Sequence, residues 1–291
     1  MILVSGASGT IGRYVVKHLK ARGEKFKALV RDEAKGRALE CDFVVGDFDQ
    51  PETIARAMQG VTRFFLNTNV SERVVRQQNT AIDLATRAGV ELVVKLSSPG
   101  ASPDAQMPQT RSHGEIEAHL RAAGIAWVIL QPTVFMQNLL RNADTLHAQR
   151  KIFGSYRDGK IGFIDADDIG ACAAAALTGE GHAGKSFVLT GGESLRFDEI
   201  AQKISTKLGE TVTYVDMPVE QFVAAAVARG VPSNMAEFYG KMMTILASGG
   251  SARTTGAVRE LTGREPRTFE AFLDDNIARL VGSTNTYSSP K

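Results

Sequence analysis

A doubly wound α/β fold on a parallel sheet, with a smaller and mostly helical carboxyl-terminal lobe, is what this sequence of 291 residues predicts. Three observations carry the prediction. Short apolar runs alternate with amphipathic helical stretches from Ile2 to Leu130, the spacing of strand–helix–strand units. The first run ends in a glycine-rich turn that opens straight into helical periodicity. Past Gln131 the alternation loosens, and helical stretches dominate.

Ile2, Leu3 and Val4 form a run too short for a membrane span and right for a buried parallel strand. It breaks into Gly6-Ala7-Ser8-Gly9-Thr10-Ile11-Gly12, and helical periodicity follows in Ile11, Tyr14, Val15, Val16 and Leu19. A strand, a glycine turn and a helix start gather backbone N–H groups and the positive end of a helix dipole at one point. That is an anion site, and in this context its anion is a dinucleotide pyrophosphate. Gly6 permits the tight turn, Gly9 lets the backbone approach the phosphates, and Gly12 lets helix and strand pack closely. Ser8, Thr10 and Ile11 belong to the same cofactor-binding turn. The spacing is G-x-x-G-x-x-G, a variant of the general fingerprint whose support comes from the strand before it and the helix after it. The predicted domain is of the Rossmann type.

The second strand is Phe26 to Val30, closed by Arg31. In such a domain this position, about 20 residues beyond the glycines, faces the adenosine ribose. A carboxylate there holds the 2′-hydroxyl of NAD, whereas an arginine favours the 2′-phosphate of NADP. Arg31, with Lys35 a turn later, therefore selects NADP(H); Asp32 is the competing reader of the ribose. Phe43 to Val45 is the third strand and ends in Gly46-Asp47-Phe48. Asp47 either accepts from the adenine amino group, with Phe48 beside the ring, or caps the helix opening at Pro51-Glu52. Asn67, Thr68 and Asn69 follow the fourth strand, Arg63 to Leu66, and suit the nicotinamide-side ribose. A helix over 71–87 leads to the fifth strand, Leu92 to Leu96, which ends in Ser97 and Ser98. Pro99 to Thr110 reads as a mobile loop. The sixth strand, Trp127 to Leu130, leaves through Gln131 and Pro132, and Pro132 joins Ser97 and Ser98 in the cofactor set.

Short strands are expected at Lys160 to Ile164, Ser186 to Leu189 and Val212 to Val215. Helices are expected at Ile169 to Leu177, Phe197 to Leu208, Glu220 to Arg229, Met235 to Leu246 and Phe269 to Ile277. The expected domains are 1–152 for cofactor binding and 153–281 for substrate, some of whose elements return to the sheet. Residues 282–291 read as a flexible tail.

Composition sets the outer bounds. Hydrophobic residues make up 43% and charged residues 23%, with a net charge of +2, so neither nucleic acid nor a membrane surface is an expected partner. Cys41 and Cys172 stand far apart in apolar surroundings and read as buried free thiols. His119, His147 and His182 are scattered, and no metal site is expected. No stretch approaches the roughly 20 apolar residues of a spanning helix, and the first strand starts at Met1, so the expected compartment is the cytoplasm.

Seven stretches together, GASGTIG, LVRD with Lys35, GDFD, LSSPGA, QPTVFMQNLL, FIDADDIG and GREPRTFEAF, carry a resemblance. By them the chain resembles the NmrA-like family of atypical short-chain dehydrogenase/reductases over nearly its whole length. The resemblance implies NADP(H) as cofactor. It also implies one of two roles: reduction of quinones, triphenylmethane dyes or azo dyes, or cofactor-binding redox sensing without catalysis. A small aromatic acceptor and a monomer or homodimer are the corresponding expectations.

The chain departs from ordinary short-chain dehydrogenases at the acid. Their Tyr-x-x-x-Lys is replaced on the helix after the fifth strand by His113-x-x-x-Glu117. Such a pair shares a helix face, so His113 is the candidate proton donor with Glu117 orienting it. Alternatively, the pair is a half-exposed histidine and a helix-stabilising carboxylate. Lys95 lies either near the cofactor or at a surface edge. Quinones, azo bonds and cationic dyes are already electrophilic, so positioning supplies much of the catalysis and water can supply the proton. Phe135, Met136, Asn138, Phe153 and Tyr156 either line an acceptor pocket or form core between the lobes.

Overall fold

The computed structural model describes residues 1–282; the expected tail, 282–291, lies outside the described residues except for Gly282. In chain order the elements begin β1 (Ile2–Val4), α1 (Thr10–Ala21), β2 (Phe26–Val30), α2 (Glu33–Arg37), β3 (Phe43–Val45) and α3 (Pro51–Ala57). There follow β4 (Arg63–Leu66), α4 (Val74–Arg87), β5 (Leu92–Leu96), α5 (Pro108–Ala122), β6 (Ala126–Pro132), a 3-10 segment (Met136–Asn142), α6 (Ala143–Gln149) and β7 (Lys151–Gly154). The chain then runs through α7 (Ala166–Thr178), β8 (Lys185–Leu189), α8 (Phe197–Leu208), β9 (Thr213–Asp216), α9 (Val219–Ala228), α10 (Ser233–Ala247), α11 (Ala257–Thr262) and α12 (Phe269–Val281).

These elements form two compact units. One holds Met1–Pro132, Ala166–Leu189 and Ala257–Arg264; the other holds Thr133–Asp165, Thr190–Gly256 and the residues from Glu265 onward. The division expected from sequence differs from these units over 133–152. There Met136, Leu139, Leu140, Leu146 and Ile152 pack into the core of the second unit.

Among the described residues the first unit carries a seven-stranded parallel sheet in the order β3-β2-β1-β4-β5-β6-β8. Its strands are nearly continuous apolar runs because helices cover both faces. Leu3, Phe64, Leu66, Val93 and Ile129 share a core with Ile54, Met58, Ile82, Ile116 and Leu120. The alanine-rich α7 is buried along its length and packs against α1 as well as the sheet. A Cβ added at Gly170 would lie 2.4 Å from Tyr14 Cβ, so this helix crossing needs a residue without a side chain. Chain direction across the sheet reverses between β1 and β4, which opens the crevice at their carboxyl ends where such folds bind ligands.

In the second unit β7 and β9 form a parallel pair, with Ile152 opposite Tyr214. Phe197, Ile200, Ile204, Phe269, Phe272 and Leu273 fill its core. Thr268 caps α12 by accepting from the Ala271 N–H at 3.1 Å. The strand expected at Lys160 to Ile164 is absent. Only isolated bridges form there, Ile161 to Leu195 and Ile164 to Phe135. In its place β7 pairs with β9, a partnership that a four-residue segment opening with lysine does not announce in its periodicity.

Candidate functional site

The glycine turn takes the shape its spacing requires. Gly6 sits at φ +64°, open to a residue without a Cβ. Gly9 precedes α1 in extended geometry, and no side chain caps the helix. A Cβ on Gly12 would stand 2.1 Å from the Gly6 carbonyl oxygen and 2.6 Å from Ala7 Cα, whereas one on Gly9 meets only the Gly6 carbonyl, at 3.2 Å. Gly12 is therefore a packing glycine, and Gly9 faces open space beside the helix start. Buried Ser5, which sequence reasoning missed, ties the ends of β1 and β4 together. It accepts from the Asn67 N–H at 2.9 Å, and its hydroxyl reaches the Phe65 and Asn67 carbonyls.

Beside the turn, between α1 and α2, lies a cavity of about 490 Å³ lined by Ser8, Arg13, Lys17, Lys20 and Lys35 among others. Four cations and no acid line it. Arg13 donates through Nε to the Ser8 carbonyl at 3.0 Å, which holds its guanidinium at the turn. Sequence reasoning passed over this arginine, although it follows Gly12 directly. Arg31 is exposed, and its side chain makes no hydrogen bond or ion pair among the described residues. Asp32 is engaged locally: it caps α2 by accepting from the Lys35 N–H at 2.9 Å and pairs with Lys35 Nζ at 3.4 Å. The Lys35 N–H, above all, holds its carboxyl below the usual range. Asp47 bonds the Asp49 N–H at 2.9 Å, while the cap position of α3 belongs to Gln50. The helix-capping alternative for Asp47 is thus replaced by a local turn. Half-buried Phe48 packs against the first core.

Further along the sheet edge, Thr68 accepts from Gln78 Nε2 at 2.8 Å, and Asn69 is exposed. Pro132, at the end of β6, is buried. Ser98 Oγ is buried and without a hydrogen-bond partner among the described residues. The loop before α5 lies against that helix, since a Cβ on Gly114 would come within 2.1 Å of the Ser102 backbone.

At the end of β5 stands a buried polar cluster. Lys95 is fully buried in the sheet, its Nζ donating to the Leu96 carbonyl at 3.0 Å and lying 3.2 Å from His113 Nδ1. The surface-edge alternative for Lys95 is excluded. Glu117 does not orient His113. Its oxygens accept from Ser97 Oγ, from Gln131 Nε2 at 2.9 Å and from Arg121 at 2.8 Å. Burial draws the Lys95 ammonium down to about 7. Burial, and then the neighbouring Lys95 charge, hold the His113 ring at about 3. His113 is thus a neutral imidazole, half-buried as the alternative reading had it, and it is paired with Lys95 rather than with a carboxylate. Among the described residues no group of three or more His, Cys, Asp or Glu side chains is placed to hold a metal.

In the second unit Met136 is buried core, and Tyr156 stacks on Phe197 with ring centroids 3.9 Å apart. Burial pushes the Tyr156 hydroxyl up to about 12. Phe135, Asn138 and Phe153 are half-buried. Cys172 is a buried free thiol, but Cys41 is only half-buried.

The NmrA-like family profile matches residues 1–273. The chain belongs to the NmrA-like family. Among its NmrA-like relatives, an NAD(P)H azoreductase of Xenophilus azovorans is 36% identical over 96% of this chain and 98% of its own length. A (4-alkanoyl-5-oxo-2,5-dihydrofuran-3-yl)methyl phosphate reductase of Streptomyces griseus is 31% identical over 92% of this chain and 95% of its own. The crystal structure of an NADPH-dependent quinone oxidoreductase from Escherichia coli, complexed with NADPH, superposes with a TM-score of 0.88. That pair is 25% identical, and the match covers 95% of this chain and 100% of the other. The NmrA-like fold here fits a dinucleotide phosphate on this chain's own terms. The turn has an uncapped helix start, the charged residues lining the neighbouring groove are all cations, and the far end of the same edge holds an orphaned buried hydroxyl.

Proposed function

We propose that this chain is an NADPH-dependent reductase of electrophilic aromatic acceptors of the quinone or azo type. One observation carries the reading: an uncapped, glycine-opened helix start at the crossover of the sheet lies beside a groove of four cations and no acid. The nearly full-length similarity to a named azoreductase supports the same chemistry.

In this reading the turn Gly6, Ser8, Gly9, Thr10, Ile11 and Gly12 holds the pyrophosphate. Arg31, Lys35 and Arg13 hold the 2′-phosphate, and Asp47 and Phe48 flank the adenine. Asn67, Thr68, Asn69, Ser97, Ser98 and Pro132 line the nicotinamide end, where the orphaned Ser98 hydroxyl has a donor and an acceptor to offer. NADPH supplies the hydride when bound. His113 presents Nε2 as the proton donor, which replaces the tyrosine of ordinary short-chain dehydrogenases. Phe135, Asn138 and Phe153 are the acceptor-wall residues, while the side chains of Met136 and Tyr156 support them from the core.

Anaerobic NADPH consumption with a quinone, a neutral azo dye and a cationic triphenylmethane dye tests the reading. Steady turnover with at least one acceptor, at roughly 1 s⁻¹ or faster, is expected and separates a reductase from a cofactor sensor. Cofactor binding without oxidation by any of the three overturns it.

A further inference from the structure

A fully buried lysine without a carboxylate partner needs an explanation, because an uncompensated buried charge is costly. Lys95 is such a residue: among the described residues its amine meets only the Leu96 carbonyl and His113 Nδ1. The acid that acts on it, Glu117, is already taken up by Ser97, Gln131 and Arg121. Among the described residues the surroundings offer no other counter-charge. β6 carries no charged residue, and Arg63 of β4 donates to the Leu177 carbonyl. On α7, Asp167 bonds Lys17 and His18, and Asp168 pairs with Arg264.

The pair has a directional consequence. An ammonium only donates, so Nδ1 of His113 must accept, and the ring proton resides on Nε2. That nitrogen makes no hydrogen bond among the described residues, and the unpartnered Ser98 hydroxyl lies just beyond the end of the same strand.

We propose that Lys95 holds His113 as an Nε2–H donor and refills it, so that the site reduces acceptors needing a proton as well as a hydride. The proposal rests on the reductase reading above and names the acceptor class, neutral N=N or C=O groups. The balance is simple. An azo group takes a hydride from NADPH on one nitrogen, and the N=N π pair becomes a negative charge on the other. That nitrogen bonds the His113 Nε2 proton while Nδ1 takes a proton from the Lys95 ammonium. The products are a hydrazine, NADP⁺, the other imidazole tautomer and a neutral amine; Nδ1 then returns its proton to that amine as Nε2 takes one from water, which restores both groups. A quinone oxygen is protonated in the same way. A cationic triphenylmethane carbon takes a hydride and becomes neutral, with no proton required.

Lys95 is therefore a positioning residue whose loss sorts acceptors by their need for a proton. The test compares wild type with Lys95→Met and Lys95→Arg, using NADPH with a neutral azo dye and with a cationic triphenylmethane dye, from pH 5.5 to 9.5 (~4 units, spanning a general acid's titration). For wild type, azo turnover should fall as pH rises through about 7. Lys95→Met should lower it about 10²-fold at neutral pH, at least tenfold more than it lowers turnover of the cationic dye, and should erase that fall. Lys95→Arg should keep the tautomer and still lose azo turnover, since a guanidinium does not release its proton. Nitrogen-15 shifts of the His113 ring give an independent reading: a proton on Nε2 in wild type, and mixed tautomers in Lys95→Met. Should Lys95→Met fold poorly, His113→Gln must show the same sorting of the two dyes. Equal losses for both dyes, or a proton on Nδ1 in wild type, overturn the proposal. Absence of turnover with both dyes overturns this proton step, and failure of a quinone as well overturns the reductase reading, while the ring shifts still report whether Lys95 sets the tautomer.

Discussion

Single charged side chains carry the testable energetics. Lys95 titrates near 7 in the fold and near 10.4 when unfolded. Below about 7 both states hold the proton, so the burial penalty is complete. Between about 7 and 10.4 the unfolded chain binds more protons, so stability rises with pH and the penalty fades. Lys95→Met should therefore raise stability at pH 6 by an amount on the order of 3–5 kcal/mol, with the gain shrinking towards pH 10. Urea unfolding at the two pH values checks this, and an equal gain at both would show that Lys95 does not titrate between them. On the cofactor side, the exposed Arg31 and the turn-held Arg13 each offer charge-assisted bonds worth about 1.5–3 kcal/mol. Arg31→Ala and Arg13→Ala should each lower the preference for NADPH over NADH roughly tenfold or more. NADH affinity, measured by calorimetric titration, should stay near wild type. The Arg31 and Lys35 pair was visible in the sequence from its place after a strand. Arg13 was not singled out, because a helix-surface arginine differs from its neighbours only once the fold shows which groove it borders.

Among the elements, the opening β1–turn–α1 unit separates packing from binding at two nearby glycines. Gly12→Ala sets a methyl against backbone atoms of Gly6 and Ala7, which cannot rotate away. We expect it to cost roughly 1–3 kcal/mol, read as a lowered urea midpoint. Gly9→Val meets far less protein and should leave that midpoint close to wild type while abolishing NADPH binding, because it fills the space the phosphates need. Unchanged NADPH affinity would place the dinucleotide elsewhere. The parallel strands and α8 followed from apolar period and length. By contrast, β7, α6 and the 3-10 segment are too short to show a period, and their identity comes from the partners they pack on. The Pro and Ser content of the loop before α5 predicts a mobile segment, and in the structure its Ser102 backbone lies against the helix at Gly114. Nothing in a linear pattern marks that contact.

Across the molecule, the net charge is only +2, so long-range attraction of a polyanionic cofactor is weak. The positive charge is concentrated locally in the groove between α1 and α2. Raising ionic strength from about 0.01 M to about 0.5 M, which shortens the screening length several-fold, should weaken NADPH binding more than NADH binding. Parallel losses for the two cofactors would show that the groove does not read the extra phosphate. No described helix is long and apolar enough to cross a membrane.

The fold class and the glycine turn were determined by the chain's own pattern of apolar runs, helical periods and glycines. Those signals are local, and a strand–turn–helix start has few other ways to bury its strand. The buried cluster was decided elsewhere. Sequence placed His113 and Glu117 on one helix face and paired them. In the structure β5 and β6 approach that face, so Ser97 and Gln131 claim the carboxylate and Lys95 claims the imidazole. A helix period states which side chains share a face, but partners across elements depend on which strand lies beneath, and that is set by the packing of the whole sheet.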